Sequence, residues 1–233
     1  MKPVVVVLLV LLLSACASSQ GFDRGELRER VGGDRQVTDK DIQQALETRP
    51  QLPEPFKLAV YFQRNWSWGR GYRGSWAWTG DDKARVLALG DELEQRGIVS
   101  DVLILSESLV EGDGDNHAIR LAAARTGADA VLIFNGIGSI DRYNNALGAT
   151  YFLIITPFFV PGTVVDGLFV ADAAMWDVAN QFLYLSAQAE DTASETRPAF
   201  LAENGRVMSQ AKAGAFEALM QEVETRLLNM AAE

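Results

Sequence analysis

The sequence predicts an α/β fold: a mixed sheet from a β-α-β-α-β unit, extended by a long antiparallel β-hairpin and a C-terminal amphipathic helix. Three observations predict it. Apolar runs at 56–62, 100–105 and 128–134 alternate with two helix-like segments, which are closed by Gly97 and Gly127. From Gly148 onward the spacing changes to long strand-like stretches. Near the end, Phe216, Leu219, Met220, Val223, Leu227 and Met230 recur at helical spacing.

In chain order, Lys2 is the only charge before an apolar run over residues 4–13. Ten residues rise about 15 Å as a helix, half the hydrocarbon thickness of a bilayer, so residues 1–15 fit a signal peptide rather than a membrane span. Leu13-Ser14-Ala15-Cys16 resembles the bacterial lipobox, in which a small residue precedes a cysteine that accepts a diacylglyceryl group and becomes residue one. That resemblance implies lipidation at Cys16. Two or three acyl chains, at about 0.8 kcal/mol per buried methylene, then anchor the chain stably. By similarity to sorted lipoproteins, Ala17 rather than Asp after the cysteine implies the outer membrane, with the domain in the periplasm.

Residues 16–55 comprise that cysteine and an extended tether. The tether is rich in Ser, Gly, Gln and charge and ends in Arg49-Pro50-Gln51-Leu52-Pro53-Glu54-Pro55. Thr38 is a candidate N-cap for a short helix over 38–48, with Ile42, Ala45 and Leu46 on one face. A single domain is expected over 56–233. Its strand at 56–62 is followed by a helix over 81–96, a strand over 100–105, a helix capped by Asp115 and running through Arg125, and a strand over 128–134. Long strands are expected at 148–155, 164–177 and 181–189. The last two meet at Val178-Ala179-Asn180, where Asn180 tolerates a left-handed turn. A helix over 206–230 packs across the sheet.

Composition removes several classes of function. The 233 residues carry 21 Lys plus Arg against 31 Asp plus Glu, a formal charge of −10, which argues against nucleic acid and against a basic patch on anionic lipid. One Cys excludes an intrachain disulfide and multi-cysteine metal sites, and one His excludes histidine-rich centres. No metal, cofactor or catalytic residue is expected.

The remaining motifs are each open to a plain structural reading. Gly69-Arg70-Gly71-Tyr72-Arg73-Gly74 matches G-x-G-x-x-G, but residues 63–68 and 75–80 separate it from the flanking strand and helix, so it reads as a flexible loop. Around it sit Trp66, Trp68, Tyr72, Trp76 and Trp78, interleaved with Arg64, Arg70 and Arg73. These aromatics are the candidate partner-binding residues, for an envelope protein or a cell-wall glycan; the alternative is a hairpin whose Trp residues cover the sheet. Asp113, Asp115 and Asn116 lack the further ligands of a calcium loop and read as an acidic helix start, with His117 in its first turn. Asp172 and Asp177 lie an odd number of residues apart on one strand, so they face opposite sides and make no glycosidase pair. Ser106 and Ser108 lack a nucleophile-elbow context. Residues 147–160, nearly all apolar and broken by Pro157, read as a buried strand and bend; an oligomer interface or a membrane-inserting hairpin is the other reading.

The lipobox, the proline-rich approach, Arg125-Thr126-Gly127-Ala128-Asp129-Ala130-Val131-Leu132-Ile133 and Ala171-Asp172-Ala173-Ala174-Met175-Trp176-Asp177-Val178 together resemble the α/β domain of the Tol-protein amino terminus and the curli-secretion lipoprotein. Through residues 151–162 (YFLIITPFFVPG) and the 170–183 hairpin, the chain resembles the rhombotarget lipoproteins. The family name implies rhomboid-type processing of a glycine-rich C-terminal signal. This chain ends Asn229-Met230-Ala231-Ala232-Glu233, so such processing is not expected of it. The resemblance carries over no catalytic residue. The expected function is a lipid-anchored, non-enzymatic envelope lipoprotein acting as a binding or assembly module. The alternatives are a ring-forming secretion or pore subunit, hence a homo-oligomer, and a glycan-binding or glycan-cleaving protein.

Overall fold

The computed structural model describes residues 19, 21–22, 38–63, 76–112, 114–153 and 155–230. Cys16, the glycine-rich loop at 69–74, Trp66, Trp68, Tyr72 and Asp113 lie outside the described residues.

Five strands form one sheet: β1 (Phe56–Phe62), β2 (Val99–Ile104), β3 (Ala130–Asn144), β4 (Thr163–Asp177) and β5 (Leu183–Arg197). Their order is β2-β1-β3-β4-β5; β1 runs parallel to β2 and β3, and the β3–β4 and β4–β5 pairs are antiparallel. The helices are α1 (Asp39–Glu47), α2 (Gly80–Gln95), α3 (Asn116–Arg125), the single turn α4 (Thr156–Phe159) and α5 (Asn204–Met230). The expected mixed sheet, hairpin and terminal helix are all present.

Local chemistry sets the parallel half. Thr79 caps α2 in a capping box with Asp82, and Gly97 closes the helix at φ +72°. Asp115 caps α3 through the Ala118 N–H at 2.8 Å, and Gly127 ends it at φ +72°. Helices α2 and α5 lie on one face, burying Val86, Leu93, Phe216, Leu219, Val223 and Leu227 against Phe56, Leu58, Val60, Phe134 and Met175. Helix α3 covers the other face, with Ile119, Ala122 and Ala123 on Ala59, Tyr61, Val131 and Ile133.

Several boundaries differ from the sequence reading. Strand β3 continues ten residues past Phe134, to Asn144, and β5 runs to Arg197 rather than ending at Ala189. Among the described residues of 148–155 no strand forms; Ala146–Phe152 is a 3₁₀ helix capped by Asn145. The left-handed residue of the β4–β5 turn is Gln181 (φ +66°), not Asn180. Asn180 instead uses its side chain, accepting the Phe182 N–H at 2.8 Å and donating to the Arg49 carbonyl at 2.7 Å.

Two buried carboxylates tie the layers together. Asp177 Oδ1 accepts the N–H groups of Ala179 (2.8 Å) and Asn180 (2.9 Å), and its Oδ2 accepts the Tyr184 hydroxyl at 2.9 Å. The Arg120 guanidinium reaches the carbonyls of Asp177 and Val178 from α3; burial lowers its pKa and the Asp177 charge raises it. On the other face Asp82 pairs with Lys212 of α5, both about nine-tenths buried, and Lys212 also donates to the Ala77 carbonyl at 2.8 Å.

Two predictions follow for chemical denaturation. Lys212→Ala leaves Asp82 buried without its cation and should cost about 3–5 kcal/mol, whereas Lys212→Met combined with Asp82→Asn should recover most of that loss. Asp177→Ala strands three donors at about 1–3 kcal/mol each, and Asp177→Asn, which keeps one acceptor for the turn, should cost clearly less.

Candidate interaction surface

Strands β3 and β4 outrun the six- and seven-residue strands of the parallel half, and the chain closes their far end with two short segments. Asn145 starts the first, its Oδ1 accepting the Leu147 N–H at 2.9 Å and its Nδ2 donating to the Pro161 carbonyl at 3.1 Å. The Tyr151 hydroxyl donates to the Val160 carbonyl and accepts the Gly162 N–H, both at 2.9 Å. Thr156 Oγ1 donates to the Thr150 carbonyl at 2.6 Å. Gly148 and Gly162 touch backbone to backbone; a Cβ on Gly162 would stand 2.5 Å from the Gly148 nitrogen. The second segment is 198–201, held by Arg142 donating to the Ala199 carbonyl at 2.8 Å and by the Phe200 N–H on the Pro157 carbonyl at 3.4 Å.

While Asn145, Tyr151 and Thr156 bond to backbone groups of this end, large apolar side chains face outward. Phe159 is 79% exposed, Ile155 69% and Phe200 66%; Leu147, Leu153, Phe158 and Leu201 are about half exposed. The Phe158 and Phe200 rings stack at 4.3 Å and 11°. The buried-strand reading of 147–160 is therefore corrected: among the described residues short helical turns replace the strand, and Leu147, Leu153, Ile155, Phe158 and Phe159 face outward. Covering seven such groups would contribute on the order of 5–10 kcal/mol before the costs of association. The sequence reading missed Phe200 and Leu201; their only signal was a short apolar pair after Arg197-Pro198.

Trp76 and Trp78 are half-buried in the core's aromatic cluster. Trp76 meets Phe169 at 4.7 Å and Trp78 meets Phe62 at 5.2 Å and Phe216 at 5.4 Å. The Trp78 indole donates to the Gln63 carbonyl at 3.0 Å, and Lys212 stands 5.4 Å from its ring centroid. These two rings thus cover the sheet, on the α5 side.

The carboxylates are held locally. Asp141 and Asp166 face each other across β3 and β4. Asp141 accepts from Ser19 Oγ (2.6 Å) and the Gly21 N–H (3.0 Å), and Asp166 accepts from Ser194 Oγ at 2.5 Å. The Tyr143 phenol is shifted up, first by its hydrogen bond to Asp166. Asp172 and Asp177 do face opposite sides: Asp172 lies between Asn135 and Gln188, while Asp177 holds Tyr184. Among the described residues no cluster of three His, Cys, Asp or Glu side chains could hold a metal ion. His117 is exposed at the rim of a groove of about 900 Å³ at the hairpin-turn end, lined by Asp41, Asp115, Trp176, Asn180 and Gln181.

Burial raises the Asp172 pKa, opposed in part by the hydrogen bond from Asn135. A raised folded pKa gives stability that is full below the unfolded carboxylate value and lost as pH rises through the folded one. Asp172→Asn should therefore melt above wild type at neutral pH and match it in acid, as read by thermal unfolding across pH.

No family model matches the chain and no curated protein matches it, so the likeness to rhombotarget lipoproteins stands on the quoted residues alone. Among solved structures, the chain is similar to a minor lipoprotein of Acinetobacter baumannii at 13% identity and TM-score 0.36, covering 76% of this chain and 92% of that one. It is similar to the PelC dodecamer of Paraburkholderia phytofirmans at 16% identity and TM-score 0.30, over 77% and 94%. For the C-terminal domain of LpoB from Salmonella enterica the identity is 10% and the TM-score 0.32, over 64% and 90%.

Proposed function

We propose that this chain is a lipid-anchored, non-enzymatic lipoprotein of the bacterial envelope, held at the outer membrane through Cys16 with its α/β domain in the periplasm. It acts as a binding or assembly module, and its contact surface is the apolar tip. The observation that carries the reading is the tip itself. Seven large apolar side chains gather at one end of a chain whose formal charge is −10. Patches of this kind mark interaction sites on otherwise polar surfaces. The signal-peptide run and lipobox supply the address.

The second reading, a ring-forming secretion or pore subunit, draws on β5. This 15-residue strand lies at the edge of the sheet, where backbone groups can pair with another strand.

The intact mass of the mature protein should show an N-terminus at Cys16 carrying acyl chains, both lost in Cys16→Ala. A mature chain that begins elsewhere without acyl groups overturns the anchor. Light scattering of the acylated protein in detergent should give one chain per micelle; discrete high-order rings would hand the function to the second reading.

A further inference from the structure

We propose that the tip's occupant is a lipid bilayer: Ile155, Phe158, Phe159, Phe200 and Leu201 enter the interfacial zone of the same membrane that holds the acyl chains of Cys16. The domain is then seated at two points instead of swinging on a tether. The inference rests on reading Cys16 as lipidated.

Position is the first argument. Ser19 Oγ and the Gly21 N–H are both bonded to the Asp141 carboxylate. Cys16 is three residues from Ser19, a reach of at most about 11 Å. Asp141 is three residues from the end of β3, about 10 Å of strand. The anchor and the tip therefore leave the domain at the same end.

Chemistry is the second. Residues 146–161 contain no Asp, Glu, Lys or Arg. Among the described residues, Asn145, Tyr151 and Thr156 hydrogen-bond backbone groups of this same end, a pairing that a backbone needs where water is scarce. Exposed Arg142 stands at the base of the tip, at the level where phosphate headgroups would lie. A second copy is the poorer occupant, because it would bring together two chains of formal charge −10. The same charge disfavours anionic lipid and points to a zwitterionic surface.

The test uses the full mature protein in phosphatidylcholine vesicles carrying doxyl-labelled phosphatidylcholine. A fluorophore is placed through Phe159→Cys at the tip or Ala179→Cys at the hairpin turn, with circular dichroism as the folding control. Wild type carried through the same labelling reports any free Cys16 thiol. The expected result is quenching at position 159 and none above background at 179. Equal signals at both positions, or a tip label shielded from aqueous quencher but untouched by doxyl lipid, overturn the proposal; the latter outcome assigns the tip to protein. If wild type takes up label, the anchor reading fails by itself. Quenching of the tip label on added vesicles would then still uphold membrane contact, and its absence would overturn that as well.

Discussion

Helix α5 lies so close to the sheet that a Cβ at Gly138 would stand 2.5 Å from the Met208 sulfur, while one at Gly136 would stand 2.6 Å from the ring of Phe169 on the neighbouring strand β4. The helix contact needs Gly138 and the ring contact needs Gly136, and the remaining architecture follows from the two together. A helix of 27 residues is about 40 Å long, and strands of 15 residues run about 50 Å. Only long strands can present enough apolar surface to cover Val207, Met208, Ala211, Ala215, Phe216, Leu219, Val223 and Leu227. The parallel half, with strands of six and seven residues, cannot reach that far. The hairpin therefore projects, and its end must be closed by the two segments that carry the exposed phenylalanines.

This explains which parts of the fold were legible. In the parallel half each boundary has its own local chemistry: Thr79 with Asp82, Gly97, Asp115 and Gly127 mark where helices begin and end. Beyond Phe134 the sequence reads Asn135-Gly136-Ile137-Gly138-Ser139, which by local rules marks the end of a strand. It continues as strand because the glycines make room for Phe169 and Met208, a reason that resides in distant residues. The turn at 178–181 was misplaced by one residue for a similar cause: Asn180 is occupied by Arg49 and Phe182, leaving Gln181 to adopt the positive φ.

The candidate site was less legible, because an apolar run does not say which way it faces. Residues 147–160 carry the same hydrophobic signal whether they line a core or a surface. What decides is the way Asn145, Tyr151 and Thr156 bond the backbone of the segment into short turns, and these are ordinary polar residues in the sequence. The aromatic loop gave the opposite ambiguity. Trp76 and Trp78 look like interface anchors by composition, yet they meet Phe62, Phe169 and Phe216 because the segment entering α2 crosses the open corner between β1, β4 and α5. Gly127-Ala128-Asp129 and Asp177-Val178, parts of the segments quoted for the resemblance, also have structural explanations. Asp129 accepts the Lys57 N–H at 2.8 Å, its carbonyl accepts the Val178 N–H at 3.0 Å, and Asp177 builds the turn.

The length of β4 separates two surfaces of unlike character by about 50 Å. At one end are the uncharged tip and the Asp141 carboxylate that receives Ser19 and Gly21. At the other are Asp41, Asp115 and His117 around the groove beside Trp176. A chain held by one flexible anchor presents every face to its surroundings in turn. A second contact beside the anchor is intramolecular once the first is made, so even a weak one is strongly populated. Two attachments at the same end fix the long axis of the sheet against the surface that holds them. If the proposed membrane seating holds, the groove would be the part of the molecule held farthest from the bilayer, and the acidic side chains around it would lie beyond the reach of the headgroups. On that reading the β4–β5 hairpin would divide attachment from presentation, with α5 packed along it between the two ends.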